Sequence, residues 1–365
     1  MQQAAIKSGI QKGIGSLYEF KKPVRGLAVP TLGAISVGIP LLFGIFIQRL
    51  DLGIMACMGG LVMLYLPLSA SVAGTMITMI TVSFGFLISY TIGLLFSFNP
   101  FVSAVAIGLT AMAVHWIKNY FALRPPGNFF FIMLISIASC QPFDLNMLPA
   151  RVGLLAIGTM VACALALGYS LYNTRRNPVS RDVVIVRQKS YTNIVTSAIV
   201  GVFTGLSLLT GFLLKLDFPY WIPISCIAIL QGVDVTHIWL RSFHRIVGTM
   251  VGMGLAWALL SLHMNTLFTA ISMLLLQFLI EWLITRNYGV AVAFMTPMTI
   301  FLAELSSHHP RLQPGNLIEL RLLDIVIGSL IGAIGGWLLY HRQLHYHAVK
   351  QLRRSRVKWN YQRAR

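Results

Sequence analysis

The chain is 365 residues long, 56% apolar and only 10% charged, with a formal net charge of +18. Soluble domains average about 25% charged residues, so this composition excludes an ordinary soluble protein and marks an integral membrane protein. Its apolar stretches lack the short alternating pattern of a strand barrel, and a run of about 20 apolar residues satisfies its own backbone in lipid as a helix.

Residues 1–26 form a basic lead with Lys7, Lys12, Lys21, Lys22 and Arg25. No small-residue cleavage site follows a short apolar core, so it is read as uncleaved. Residues 3–20 either form a surface helix with Ile6, Ile10, Ile14 and Leu17 on one face or stay an unstructured basic arm. Hydropathy then predicts twelve transmembrane helices, at about 27–48, 53–69, 72–96, 99–117, 128–143, 151–172, 194–214, 219–235, 246–263, 266–284, 288–303 and 321–340. The expected fold is all-α, with a first six-helix repeat at 27–172, a cytoplasmic linker at 173–193, a second repeat at 194–340 and a basic tail at 341–365.

With the amino terminus inside, 23 of the 28 Lys and Arg residues fall on the cytoplasmic side. That bias puts both termini in the cytoplasm. The net charge is therefore a topology signal, and its clusters suit anionic lipid; no nucleic-acid motif accompanies them. An even number of spans per half makes the two repeats parallel. Matching landmarks recur in order: Gly74-Thr75 with Gly248-Thr249, Trp116 with Trp282, Arg124 with Arg286, Arg151 with Arg321, and Gly158-Thr159 with Gly328-Ser329.

The second and eighth spans are short and interrupted, with Gly59-Gly60 and Pro67 in one and Pro223 and Gly232 in the other. The fifth and eleventh are also short, preceded or broken by Pro125-Pro126-Gly127 and by Pro297. Broken helices at matching places in two halves point to a binding site, because they expose backbone groups and dipole ends; kinks at helix contacts are the alternative.

Arg151 and Arg321 each open the last span of their half in this reading, where the helix dipole opposes a cation. Either an acid answers them (Asp144, Asp324) or a bound carboxylate does, through fork geometry and free N–H groups. Arg241 and Arg245 begin the ninth span as lipid anchors or as a funnel for anions. Glu281 lies in an apolar span with Gln277 one turn earlier and Arg286 five residues later. An ionisable group there is a proton-coupling candidate, with Asp324 second and ion pairing the alternative for both. The four cysteines lack metal or disulfide spacing, and His308, His309, His341, His345 and His347 lack that of a structural zinc site. No GxSxG, HExxH or Walker loop occurs, so the expectation is no enzyme, no metal and no cofactor.

The segment YWIPISCIAILQGVDVTHIWLRSFHRIVGTMVG supplies Tyr220-Trp221, Pro223, Gln231, Thr236, Arg241, Arg245 and Gly248-Thr249. Together with RNYGVAVAFMTPMTIFLAE and RLLDIVIGSLIGA it resembles the fusaric-acid-resistance (FUSC-like) membrane family over most of 194–340. The resemblance implies a bacterial inner-membrane, multi-pass exporter of organic anions, aromatic or other hydrophobic carboxylates above all, with Tyr220, Trp221 and Gln231 added to the substrate-binding candidates. It leaves two alternatives: a passive malate-type anion channel, and a non-transporting scaffold or efflux subunit dependent on a periplasmic adaptor protein. Monomer and homodimer both stay open.

Overall fold

The structure, a computed structural model, describes residues 26–67, 71–121, 125–176, 190–262, 266–306 and 314–341, with isolated positions elsewhere. Most of the basic lead, the linker core 177–189, His308, His309 and most of the tail lie outside the described residues.

Among the described residues, twelve α-helices occupy the twelve apolar stretches. In chain order they are α1 (Ala28–Phe46), α2 (Leu50–Gly60, continued by a 3-10 turn Leu61–Tyr65), α3 (Val72–Leu95), α4 (Pro100–Tyr120), α5 (Phe129–Ser139) and α6 (Leu148–Arg176). There follow α7 (Ser190–Leu213), α8 (Trp221–Leu230), α9 (Val235–Ser261), α10 (Thr266–Ile284), α11 (Tyr288–Ser306) and α12 (Pro314–Tyr340). Eight are long and apolar enough to cross a membrane, which makes the chain a multi-pass integral membrane protein. The described apolar parts of the other four, α2, α5, α8 and α11, are 10–17 residues long. At about 1.5 Å per residue, a helix like α8 covers only half of a hydrocarbon core about 30 Å thick. These four are the stretches that Gly and Pro interrupt in the sequence.

Local chemistry explains the ends. Pro100 sits at the start of α4, where no N–H is needed, and Asn99 caps it by accepting from Phe101 N at 2.8 Å and Val102 N at 3.3 Å. Asp51 lies in the first turn of α2, on the favourable side of the dipole, and Arg49 pairs with it at 3.1 Å. The Arg49 guanidinium holds that carboxyl below its usual range.

The chain divides into two compact units, and each gathers three separate stretches. The first comprises Met1–Thr91, Asp144–Asp182 and Phe243–Val326; the second comprises Ile92–Phe143, Val183–Ser242 and Ile327–Arg365. In the first unit α1 packs on α2, α6 and α10, while α11 packs on α10 and α2. Its core gathers Val37, Leu41, Ile54, Met273, Met298 and Phe301. In the second unit α4 packs on α7 and α5, and α8 packs on α7 and α5, around Ile107, Ile132, Val200 and Leu230.

Small residues let these helices touch backbone to backbone, as helix pairs in lipid require. A Cβ placed on Gly201 of α7 would stand 2.5 Å from the Gly108 carbonyl of α4. The repeated small pairs find a common use. In the first unit Gly158 lies against the Ala56 carbonyl of short helix α2, and in the second Gly328 lies against the Ile222 carbonyl of short helix α8. The hydroxyl neighbours Thr159 and Ser329 are 3% and 1% exposed.

Candidate functional site

In the first unit two buried arginines reach the same stretch of α11. Gly248 and Gly252 bring α9 onto α11, where an added Cβ would stand 2.5 Å from the carbonyls of Gly289 and Ala293 respectively. One turn before Gly248, Arg245 is 3% exposed and places Nη1 3.8 Å from Met295 Sδ. From α12, Arg321, also 3% exposed, donates through Nη1 to the Thr299 hydroxyl and to the Thr296 carbonyl, the latter at 3.4 Å. Met295 and Thr299 are one turn apart and share a helix face, so the two guanidiniums address one face of α11 on either side of Pro297. Pro297 has no N–H to give the ladder, and breaks of this kind leave backbone groups for a partner.

The position of Arg321 differs from expectation. It does not open its helix: α12 begins at Pro314, about two turns earlier, because proline is at home in a first helical turn. Arg151 likewise lies inside α6, which begins at Leu148, and its side chain is half-buried. Opposition to an amino-terminal dipole therefore does not explain Arg321, whereas burial in a membrane helix makes a partner necessary. Asp324, three residues on and 1% exposed, shares that helix.

Glu281 is 6% exposed on α10. Gln277, 4% exposed, donates to its Oε1 at 2.6 Å, and the carboxylate lies directly over Gly33 of α1. Arg286 instead sets its guanidinium over the Trp282 ring at 4.2 Å. The first unit thus holds buried side chains of both signs, where each ionic side chain costs about 3 kcal/mol to insert unless partnered.

The second unit holds the remaining candidates in other roles. Gln231, at the end of α8, donates to the Pro126 carbonyl at 2.9 Å and so joins α8 to the start of α5. Arg241 is half-buried and donates from Nε to the Ala228 carbonyl at 3.0 Å, a cation at the negative end of α8. Tyr220 and Trp221 stand at the other end of α8 with ring centres 5.2 Å apart. Arg241 and Arg245, four residues apart in sequence, therefore serve different units.

Comparison with known proteins gives a match that takes in α8, α9, α10 and α11 and most of α7 and α12. Residues 198–335 match the family described as fusaric acid resistance protein-like. Two relatives are similar to parts of the chain, one of them named as a membrane protein. The chain is 37% identical over 123 residues to "Uncharacterized membrane protein YvaC" of Bacillus subtilis (strain 168), covering 34% of this chain and 19% of that protein. It is 32% identical over 159 residues to "Uncharacterized protein YhfK" of Escherichia coli (strain K12), covering 41% of this chain and 22% of that one. The chain thus spans about a fifth of the length of these relatives. No solved structure matches it.

Within the fusaric acid resistance protein-like segment, sequence reading found Arg241, Arg245 and Glu281 but passed over Met295, Thr296 and Thr299. Their signal is the run Met295-Thr296-Pro297-Met298-Thr299, in which two hydroxyls flank a helix-breaking proline.

Proposed function

We propose that the protein carries organic anions outward across a bacterial inner membrane, with both termini in the cytoplasm, and that Arg245 and Arg321 hold the substrate carboxylate beside Pro297. The observation behind this reading is the convergence of two buried guanidiniums on one face of α11. A carboxylate fits the planar fork of arginine, and the apolar walls of the unit suit an aromatic or other hydrophobic body. An inside-negative potential favours outward movement of an anion by about 2.3 kcal/mol per charge per 100 mV. Glu281 is the proton-coupling candidate, because an ionisable carboxyl inside a span can take up a proton on one side of the membrane and release it on the other.

Reconstituted protein should release benzoate-type carboxylates from vesicles. Arg245→Gln and Arg321→Gln should each lower this flux at least tenfold, since losing a charge-assisted hydrogen bond costs about 1.5–3 kcal/mol. Glu281→Gln should make flux insensitive to an imposed proton gradient. Flux that ignores both arginines would refute the site, and currents that follow only the anion's own gradient would replace the carrier by a channel.

A further inference from the structure

We propose that Thr299 is a positioning residue for Arg321: its hydroxyl holds the guanidinium across the Pro297 break of α11 and so aims it at the substrate carboxylate. This role rests on Arg245 and Arg321 being the carboxylate site.

One nitrogen of Arg321 reaches both sides of the break. Its Nη1 donates to the carbonyl of Thr296, the residue before Pro297, at 3.4 Å, and to the hydroxyl of Thr299, two residues after it. Chemistry fixes the direction of the second bond. A guanidinium has only donors, so the Thr299 hydroxyl accepts, and its single proton goes to its own helix. The carbonyls of Thr296 and Met295 lie 2.8 and 3.0 Å from that oxygen.

Pro297 makes this tie matter. A proline has no N–H for the carbonyl four residues back, which here is that of Ala293. The Ala293 carbonyl lies against Gly252 of α9, which has no side chain to replace the missing donor. A helix bends most readily at such a break, and Nη1 fastens one side of it to the other. The guanidinium and the break thereby fix each other.

Fixing matters for binding because arginine recognises a carboxylate in the plane of its fork. Arg321 comes from α12 and is 3% exposed, while Arg245 comes from α9 with Nη1 3.8 Å from Met295 Sδ, one turn before Thr299. A side chain held in place before its ligand arrives loses less freedom on binding. Thr299 therefore acts on affinity, and not on the rate at which bound anion is carried.

The reconstituted full chain, with benzoate as the probe over a series of concentrations, gives KM and Vmax. Thr299→Val should raise KM about tenfold, the worth of a hydrogen bond to a charged group, and leave Vmax within about twofold. Thr299→Ser, which restores the hydroxyl, should return KM to that of the unsubstituted chain, a recovery that packing of the threonine methyl would not give. Thr299→Ala lacks the hydroxyl but favours helix, and should behave as Thr299→Val does even where the latter folds poorly. In an Arg321→Gln background Thr299→Val should raise KM no further. Thr204→Val removes a buried hydroxyl of α7 that donates to the Val200 carbonyl at 2.7 Å, and should leave KM unchanged. If Arg321→Gln raises KM and neither Thr299→Val nor Thr299→Ala does, this role is overturned and the carboxylate site stands. If Arg321→Gln leaves KM unaltered, or benzoate is not carried at all, the carboxylate site falls and the role of Thr299 with it. A fall in Vmax alone, no recovery in Thr299→Ser, or an equal rise in Thr204→Val also overturns the role.

Discussion

At the residue scale, the contact between Glu281 and Gly33 ties a buried carboxyl to a helix crossing. Any side chain at Gly33 would strike the carboxylate, which must then leave its 2.6 Å bond from Gln277. Gly33→Ala should therefore destabilise the protein by about 1–3 kcal/mol, the usual range for overpacking. In a Glu281→Ala background, which clears the space, the same change should cost close to nothing. Thermal unfolding of the four variants gives the coupling directly, and additive costs would show that the contact is unimportant. Glu281 is visible in the sequence because a carboxyl in an apolar span stands out. Gly33 is not, since it belongs to a distant helix and one glycine among 31 carries no signal by itself.

At the scale of the element, the short helices are what Gly and Pro predict, and the glycines of their neighbours explain how they are held. Gly158 and Gly328 abut backbone carbonyls, which cannot yield as a side chain can. Each change to Ala should cost about 1–3 kcal/mol. Gly153, Gly168 and Gly254 have no atom within 4 Å of an added Cβ. Alanine there should be neutral or stabilising by up to about 1 kcal/mol, because it restricts the unfolded chain and favours helix. Unfolding midpoints that do not separate these two groups would contradict the packing described. Sequence spacing pairs Gly158-Thr159 with Gly328-Ser329, and in the structure Gly158 abuts α2 and Gly328 abuts α8.

At the scale of the whole molecule, the charge bias requires the two sides of the membrane to differ in accessibility. In a variant whose four native cysteines are replaced, a cysteine at Lys215 and one at Lys350 should react with an impermeant thiol reagent from opposite sides. Labelling from the same side would overturn the sidedness read from the charge bias. The chain boundary at 173–193 separates two hydropathy patterns, yet each compact unit draws stretches from both sides of it. Periodicity and charge report on neighbours along the chain, and packing partners in lipid are chosen by small-residue surfaces that pair far apart in sequence.

The sequence by itself determined that this is a helical membrane protein, where its apolar helices lie, which four of them are broken, and that Arg245, Arg321 and Glu281 are the ionic groups to examine. Those features depend on composition, period and the cost of charge in lipid, all of which are local. Only the tertiary structure decided that α12 starts well before Arg321, that Arg245 and Arg321 address one face of α11, and that Arg241 serves the end of α8 instead. Each of these depends on side chains from helices distant in sequence meeting in space, which no local pattern encodes.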